Sequence, residues 1–378
     1  MKYNVRSEVH SMKKIIENVS FMLDGTMVFG DLYLEDGFVE RMEFKTPRGK
    51  GHIAIPGFVD IHTHGFRGYS CDDENIENLR QLANAYAKRG VTTFCPTLSP
   101  RPLQEYIPIL KAYRKAFQGN TMGARYAGVH LEGPYLSKAM HCLLDANQLQ
   151  EIDLNELDTF LSEYHEDIRV MTIAPELTNA MEAIHLLHLY GVQVSIGHSK
   201  ATYEQMLEAF EEGASQVTHL CNAMPGIDHH EPTMFDAVLL SQCSCEMIMD
   251  GAHIQSKMLE WLIKLLGAKR VIAISDGTIN SGLAYPEGHV LDDGSYIQHH
   301  AVYKEGVLKG SCIDLLDIFR KLYDAYGLAE SILMTSQNAA HIVKSYTSDI
   351  RLGHKIDLVI LDSELHLLDV VINGRSVL

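Results

Sequence analysis

Eight short apolar segments, separated by stretches of helical character, constrain the fold of this chain more than any other feature. Helical stretches such as residues 75–90 and 202–213 follow the segments along the chain. The segments themselves are residues 57–64, 91–97, 127–134, 169–176, 193–199, 216–223, 245–253 and 270–277. Strands that alternate with helices form parallel sheets, and eight such units are the number that closes a barrel. The pattern therefore predicts an α/β fold, a (β/α)8 TIM barrel.

Both ends of the chain have the alternating pattern of antiparallel β-strands instead. Asp36-Gly37 lies between two such strands and is a strong hairpin signal. We therefore divide the chain into an N-terminal β segment at 1–55, the barrel at 56–345 and C-terminal strands at 346–378. The two terminal segments are expected to form one small β-sandwich domain.

Length, charge and cysteine content exclude several classes of function. A chain of 378 residues can bury a large core, and its formal net charge of −17 disfavours nucleic acid and anionic membranes as partners. An anionic substrate would need a local positive pocket. Seven cysteines without a CxxC pair, an N-terminus without an apolar signal-peptide core and no segment of transmembrane length predict a cytoplasmic protein with reduced thiols.

The first apolar segment ends on two histidines one residue apart, His62 and His64. Side chains at i and i+2 share one face of a strand, so both imidazoles can bind the same ion. An isolated HxH recurs by chance, and two ordinary polar residues at a loop entrance are the alternative. The residues at the other strand ends decide between these interpretations.

Four further strand ends carry a potential metal ligand, and a barrel brings these ends to one face. The four residues are Glu132, His198, His219 and Asp276. Each alone is explained equally well as a hydrogen-bonded polar residue. All of them at one face, with the HxH pair, favour a metal site. Imidazoles and carboxylates suit Zn²⁺, with Fe²⁺ or Mn²⁺ as alternatives, and we expect one or two divalent ions per chain.

This set of residues matches the needs of metal-assisted amide hydrolysis. A divalent ion lowers the pKa of the water that it binds and so supplies a nucleophile for an unreactive carbonyl. A carboxylate must then carry a proton to the leaving nitrogen, and Asp276 is the candidate because its strand offers no histidine. His253, at the end of the seventh segment, is a candidate for polarising the carbonyl; the alternative is a structural histidine that caps the next helix.

At this point the chain resembles a known family. The motifs PGFVDIHTHG, HLEGPYL, APE, GHSKATYEQ, THLCNAM, DGAH and ISDG occur in the order and at the separations found in N-acetylglucosamine-6-phosphate deacetylases of the amidohydrolase superfamily. The resemblance runs from about residue 14 to the end of the chain. It implies a homodimeric, metal-dependent hydrolase that removes acetyl from an amino-sugar phosphate substrate, most simply N-acetylglucosamine 6-phosphate.

The resemblance also implies roles for individual residues. Glu132, His198 and His219 match the principal metal ligands, and His62 and His64 match a second-metal pair that some members lack. Asp276 matches the general base and acid, and His253 the carbonyl-polarising histidine. At the substrate, Asn222 and Ala223 match the segment whose backbone meets the phosphate, and His141 is the counterpart of a sugar-binding histidine. Leu308 and Gly310 are further matches in the substrate pocket.

The sugar-phosphate pocket departs from the family pattern. His230 stands where the family usually has an arginine that grips the phosphate. Histidine lacks the permanently charged, bidentate fork of arginine, so phosphate binding is weakened or the substrate differs. Lys309, where relatives commonly have alanine, is either a compensating positive charge or a solvated lysine.

Two other functions remain open at this stage. The same metal site supports other amidohydrolase reactions, such as deacetylation of a related N-acetylhexosamine, cyclic-amide hydrolysis or deamination. A catalytically silent barrel that acts as a binding module is the second, although binding alone needs no proton carrier such as Asp276. Release of acetate, ring opening or release of ammonia would distinguish the reactions.

Overall fold

The computed structural model describes residues 12–47, 51–119, 122–345 and 348–378. Within that description the chain divides into two compact units, residues 1–57 with 346–378 and residues 58–345. Residues 1–11, which contribute to the signal-peptide prediction, lie outside the described residues. In the described part, no helix combines the length and the apolar character needed to cross a bilayer.

The smaller unit is a seven-stranded sheet built from both ends of the chain. Its strands, in spatial order, are Arg375–Ser376, Leu367–Ile372, Leu358–Leu361, His52–Pro56, Lys13–Leu23, Thr26–Glu35 and Phe38–Phe44. Alternate apolar residues of the strands meet in one buried core. Val39 N–H donates to His354 O, and Ile356 N–H donates to Gly37 O. The sheet therefore folds back on itself, as expected for the predicted sandwich of the termini.

One tight turn in this unit has the chemistry that the sequence predicts. Asp36 and Gly37 both have positive φ, 51° and 83°, and they join the strands that pair at Glu35 and Phe38. Left-handed conformation at both central positions matches the right-handed twist of a hairpin, which explains the Asp-Gly pair. A Cβ added to Gly374, in a second such turn, would lie 2.8 Å from Gly37 N, so this close approach requires glycine.

The larger unit is the predicted barrel, and each of the eight predicted segments overlaps one of its strands. They are β1 (Phe58–Thr63), β2 (Val91–Leu98), β3 (Val129–Glu132), β4 (Ile168–Ile173), β5 (Gln193–Ile196), β6 (Ala214–Val217), β7 (Ser244–Ile248) and β8 (Val271–Ile274). Neighbouring strands pair in parallel from β1 to β8 in chain order. A two-residue strand, Arg125–Tyr126, adds to β2.

A helix follows each barrel strand, which makes the connections that parallel strands require. The helices are α1 (Ile76–Ala87), α2 (Leu103–Ala116), α3 (Leu154–Tyr164), α4 (Ala180–Leu189), α5 (Tyr203–Glu211), α6 (Met234–Leu240), α7 (Ser256–Leu266), α8 (Leu315–Tyr326), α9 (Leu328–Ile332) and α10 (Asn338–Ile342). Polar side chains cap several of them; Thr202 and Gln205 form a reciprocal capping box at α5. A π-helical turn, Leu333–Gln337, joins α9 to α10.

The barrel closes between β8 and β1 through residues near its carboxyl-terminal mouth. Asp276 N–H donates to His62 O at 3.0 Å, and His64 N–H donates to Gly277 O at 2.8 Å. Thr63 and Gly277 form a parallel bridge beside these bonds. The seam between the first and last strands is therefore made by residues that the sequence predicts to be metal ligands.

An insertion between β8 and α8 forms a wall at the mouth of the barrel. It contains a three-stranded antiparallel sheet, Tyr296–Gln298, Ala301–Lys304 and Val307–Ser311. Ser311 N–H donates to Asp276 O, and Thr278 N–H donates to Ser311 O, both at 3.0 Å. These bonds attach the last strand of the insertion directly to the segment that carries Asp276. A short hairpin, Gly65–Phe66 with Tyr69–Ser70, follows β1.

Candidate active site

The six predicted ligands all lie at or just beyond the ends of barrel strands. His62 and Glu132 belong to β1 and β3, and His64 follows β1 directly. His198, His219 and Asp276 each lie two residues past a strand, with φ of 47°, 31° and 43°. Positive φ is unfavourable for residues with a Cβ and costs about 1–3 kcal/mol each; it persists where surrounding structure enforces it, typically at functional sites.

The structure brings all six side chains together around the carboxylate of Glu132. Its Oε1 lies 3.1 Å from both His198 Nε2 and His219 Nε2, and these two nitrogens are themselves 3.1 Å apart. Its Oε2 lies 3.4 Å from His64 Nε2. Asp276 Oδ1 lies 3.5 Å from Nε2 of both His62 and His64. Two triads therefore share Glu132, one with His62 and His64 and one with His198 and His219.

This donor set fits a divalent cation. Ligand atoms around a tetrahedral zinc ion lie about 3.3 Å from one another, close to the separations seen here. His62 Nε2 is buried among Glu132 and Asp276 yet has no hydrogen-bond partner within the described part of the chain. A buried imidazole nitrogen that faces two carboxylates is well placed to bind a positive ion.

The charges of the site keep its carboxylates ionised. Burial acts to raise the pKa of Glu132, but hydrogen bonds with His198, His219 and His64 outweigh it and hold that pKa well below its usual range. Burial likewise opposes the effect of His62 and His64 on Asp276, whose pKa is nevertheless lowered. Cation ligands must be deprotonated, so both carboxylates are in the required state at neutral pH.

His253 lies at the mouth of the barrel with its imidazole held by Asp250. Its Nδ1 donates to Asp250 Oδ2 at 2.6 Å, and Asp250 Oδ1 accepts the N–H of Ala252 and of His253. Burial acts to lower the pKa of His253, but the hydrogen bond and charge of Asp250 raise it overall. Helix α7 is capped by Gln255, whose side chain accepts Lys257 N–H, so the alternative in which His253 caps this helix is excluded.

Comparison with known proteins agrees with this geometry. The sequence profile of the amidohydrolase family matches residues 53–377. The chain belongs to the amidohydrolase family. This amidohydrolase is 31% identical over 338 residues to the N-acetylglucosamine-6-phosphate deacetylase of Lysinibacillus sphaericus, covering 86% of each chain. The N-acetylgalactosamine-6-phosphate deacetylase of Escherichia coli O157:H7 is 29% identical over 355 residues, covering 91% of this chain and 93% of that protein.

A solved structure supports the same assignment. The crystal structure of the N-acetylglucosamine-6-phosphate deacetylase of Thermotoga maritima superposes with a TM-score of 0.86 at 26% identity, covering 97% of this chain and 99% of that chain. The predicted barrel fold and the predicted resemblance to this family of amidohydrolases are both confirmed.

Two residues of the amidohydrolase's site, Glu246 and Asp250, are not predicted from the sequence. Glu246, in β7, is completely buried and accepts a hydrogen bond from His62 Nδ1 at 2.8 Å. Asp250 orients His253, as described above. The available signal is a glutamate inside an otherwise apolar strand, since a buried carboxylate needs a partner to offset its desolvation. The sequence does not reveal that the partner lies 184 positions away.

His130 is a third buried residue beneath the site of the amidohydrolase, and its role is structural. Its Nδ1 donates to Ile61 O at 3.1 Å, so its Nε2 accepts from Thr172 Oγ1 at 2.7 Å. Burial and the nearby charge of His62 lower the pKa of His130 to about 4. The neutral imidazole of His130 therefore uses both of its ring nitrogens in hydrogen bonds, and no lone pair remains to bind an ion.

The loops after β3 and β6, which carry several of the predicted substrate residues, adjoin the triad of Glu132, His198 and His219. The loop after β3 reaches the site because His198 Nδ1 donates to Met140 O at 2.9 Å, next to His141. Ser199 N–H donates to Ala223 O at 3.1 Å and joins the loops after β5 and β6. Asn222 N–H donates to His219 O at 2.9 Å, so this N–H is used within the protein and not held free for phosphate as the sequence suggests.

In the structure, His230 and Lys309 do not lie where they would form a phosphate pocket. His230 is exposed, its N–H donates to Asp228 Oδ1, and its ring packs on His229 with centroids 3.8 Å apart. Lys309 pairs with Asp293 at 2.7 Å, which neutralises its charge. Neither side chain has a described contact with the six predicted ligands. The local positive charge that an anionic substrate needs is therefore not assembled by these two residues.

Leu308 and Gly310 lie on the wall formed by the insertion, on the strand Val307–Ser311. Gly310 has φ of 144°, and a Cβ there would approach Thr278 Cγ2 to 2.7 Å, so the contact of this strand with the Asp276 segment requires glycine. The same wall and His64 line a cavity of about 660 Å³ that also contacts Tyr285 and His289. This volume suits a small-molecule substrate.

Proposed function

We propose that this amidohydrolase removes the acetyl group from N-acetylglucosamine 6-phosphate and yields glucosamine 6-phosphate and acetate. The observation that carries the proposal is the convergence of His62, His64 and Asp276 with Glu132 and its two histidine partners at one face of the barrel. A relative that is 31% identical over most of both chains and is named for this activity supports the choice of substrate.

We propose that the site holds one or two Zn²⁺ ions. The supporting observations are the mixed imidazole and carboxylate donors, the separations of 3.1 to 3.6 Å between them and the unpartnered His62 Nε2. A divalent cation held there would polarise the amide carbonyl and increase the acidity of water. The protein's own contribution is to keep the two carboxylates ionised and to fix the donors in place.

Asp276 and His253 then have separate roles: Asp276 transfers the proton, and His253 donates a hydrogen bond to the carbonyl. The Asp276 carboxylate takes a proton from the attacking water as its oxygen bonds to the amide carbon, and it returns that proton to the sugar nitrogen as the C–N bond breaks. His253 donates a hydrogen bond from Nε2 to the carbonyl oxygen, where negative charge develops. The hydrogen bond from Nδ1 to Asp250 supports this role, because it raises the pKa of His253 and so favours the doubly protonated imidazole.

The second candidate substrate is N-acetylgalactosamine 6-phosphate, which differs only in the configuration at C4. The similarity to the deacetylase of Escherichia coli O157:H7 named for this sugar favours including it. The amide and the phosphate are common to both sugars, so the groups proposed to bind them, including His141, Asn222 and Ala223, do not distinguish the two sugars. Discrimination would come from the walls of the cavity that face C4.

The test is acetate release from both sugar phosphates and from their unphosphorylated forms, using Zn²⁺-loaded protein and Asp276→Asn as the inactive control. We expect turnover of at least one phosphorylated sugar and a preference of tenfold or more over its unphosphorylated form. Turnover of the galactosamine derivative alone would select the second candidate. Ammonia release or ring opening of a cyclic amide, without acetate, would contradict both.

We further propose a cytoplasmic location and a homodimer. All seven cysteines are free, which supports a reducing compartment. The homodimer is supported by the family resemblance alone. Light scattering of the purified protein would test it, and fractionation of cells that express the protein would test the location.

A further inference from the structure

A completely buried carboxylate, Glu246, lies beneath the predicted ligands and connects three barrel strands. Its Oε2 accepts a hydrogen bond from His62 Nδ1 on β1 at 2.8 Å, and its Oε1 accepts one from Gln216 Nε2 on β6 at 2.6 Å. Oε2 also accepts the N–H of His219 at 3.3 Å. Glu246 and the His62 ring both have no solvent exposure.

Such a residue is costly for a barrel interior, where most positions hold apolar side chains. Desolvation of a carboxylate costs several kcal/mol, and apolar replacements of buried ion pairs are often neutral or stabilising. Of the three hydrogen-bond donors, only the imidazole of His62 can carry positive charge. The arrangement is therefore explained better by what Glu246 does to His62 than by stability.

The effect on His62 is directional. Donation of Nδ1–H to a carboxylate fixes the tautomer and turns the lone pair of Nε2 towards Glu132 and Asp276, where that nitrogen has no hydrogen-bond partner in the described residues. A carboxylate behind a metal-binding histidine also makes the imidazole a stronger donor. The corresponding nitrogen of His198 donates to a neutral carbonyl, Met140 O, instead. The two triads thus differ in what lies behind their histidines.

We propose that Glu246 is a positioning residue for the cation site formed by His62, His64 and Glu132. It holds His62 as a ligand through its Nε2 and strengthens it, whereas the triad of Glu132, His198 and His219 depends on it less. This inference rests on the metal site of the proposed function.

The test is Zn²⁺ binding to Glu246→Gln, measured by elemental analysis and by competition with a chelator, without reference to activity. Glutamine keeps the shape, and rotation of the Gln216 amide would let its unpartnered Oε1 accept from the new side chain. We expect one of two Zn²⁺ ions to bind 10- to 100-fold more weakly and the other to change by less than about threefold. Asp314→Asn, which removes a different buried carboxylate, is the matched control and should leave both affinities unchanged.

A double-mutant cycle separates positioning from a general structural role. In a His62→Ala background, Glu246→Gln should cause no additional loss of Zn²⁺ affinity, because the residue through which it acts is gone. An additive loss, or equal weakening of both ions, would overturn the inference. If Glu246→Gln does not fold, Glu246→Asp, which keeps the charge but shortens the reach, is tested in the same cycle.

The outcomes for wild-type protein distinguish the two proposals. Failure to bind any Zn²⁺ would contradict the metal site and with it the proposed function. Binding of a single Zn²⁺ at saturation that His62→Ala does not weaken would contradict the role of Glu246 and leave the proposed function standing. Binding of two Zn²⁺ ions by the wild type, with Zn²⁺ affinities unchanged in Glu246→Gln, would likewise contradict the role of Glu246 and leave the proposed function standing.

Discussion

Asp276 serves the site through its side chain and the barrel through its backbone. Its carboxylate faces His62 and His64, its N–H donates to His62 O, and its C=O accepts Ser311 N–H. Because the backbone bonds do not involve the carboxylate, the chemistry of the side chain can be changed without opening the barrel.

We therefore expect Asp276→Asn to fold and to lose activity on the order of 10²-fold or more in kcat, because the amide cannot carry a proton. Elemental analysis of the variant should still find bound Zn²⁺, with its affinity reduced by the lost charge. Near-normal acetate release from the metal-loaded variant would assign the proton transfer to another residue.

Asp250 gives a prediction about pH. It raises the pKa of His253, whose protonated form is present below that pKa and is lost as pH rises through it. Asp250→Asn should therefore move the alkaline decline of kcat/KM to lower pH and cost more activity at pH 8 than at pH 6. Glu260→Gln, which removes an exposed partner of Lys264 on helix α7, is the control. An unshifted profile would show that His253 acts in one protonation state throughout.

Strands and helices are predicted well from the sequence, and the turns that follow the strands are not. The predicted segment 245–253 overlaps β7, but the strand ends at Ile248, because Asp250 and Gly251 begin the turn that carries His253. His198 and His219 adopt positive φ without the glycine that would signal it. The apolar pattern thus locates the strand, whereas contacts with distant strands decide where it ends and which way the ligand points.

The same limit applies to the candidate site. The convergence of the six predicted ligands is predictable because a barrel gathers strand ends by topology alone. Glu246 and the internal hydrogen bond of Asn222 depend on side-chain contacts that no local pattern encodes. His230 is assigned to the phosphate by its position in a family motif, but it lies on an exposed segment whose position the strands do not determine.

Strand β1 supplies a prediction at the scale of an element, because it contributes both His62 and His64 to one triad. The double variant His62→Ala/His64→Ala should keep the barrel and one Zn²⁺ while losing a more weakly held ion. Elemental analysis with circular dichroism as a check on folding measures this. Unchanged stoichiometry in the double variant would mean that β1 does not bind a separate ion.

Across the whole molecule, a net charge of −17 opposes a dianionic substrate, and the described lysine near the cavity is already paired. Salt screens long-range repulsion, since the Debye length falls from about 30 Å at 0.01 M to about 8 Å at 0.15 M. We expect kcat/KM for N-acetylglucosamine 6-phosphate to increase about twofold or more over this range. The unphosphorylated sugar is the control and should not respond; a decrease for the phosphorylated sugar would indicate a net attractive field at the mouth.

The seam between β1 and β8 would give the proposed ion a mechanical role. His62 and His64 lie on one side of this seam and Asp276 lies on the other. An ion bound among them would therefore link the first and last strands of the barrel. Stripping the ion should loosen this edge first. In hydrogen exchange, the amides of His64 and Asp276 should lose protection in the stripped protein, while those that pair β4 with β5 keep theirs. The proposed ion would then also determine the lifetime of the closed barrel.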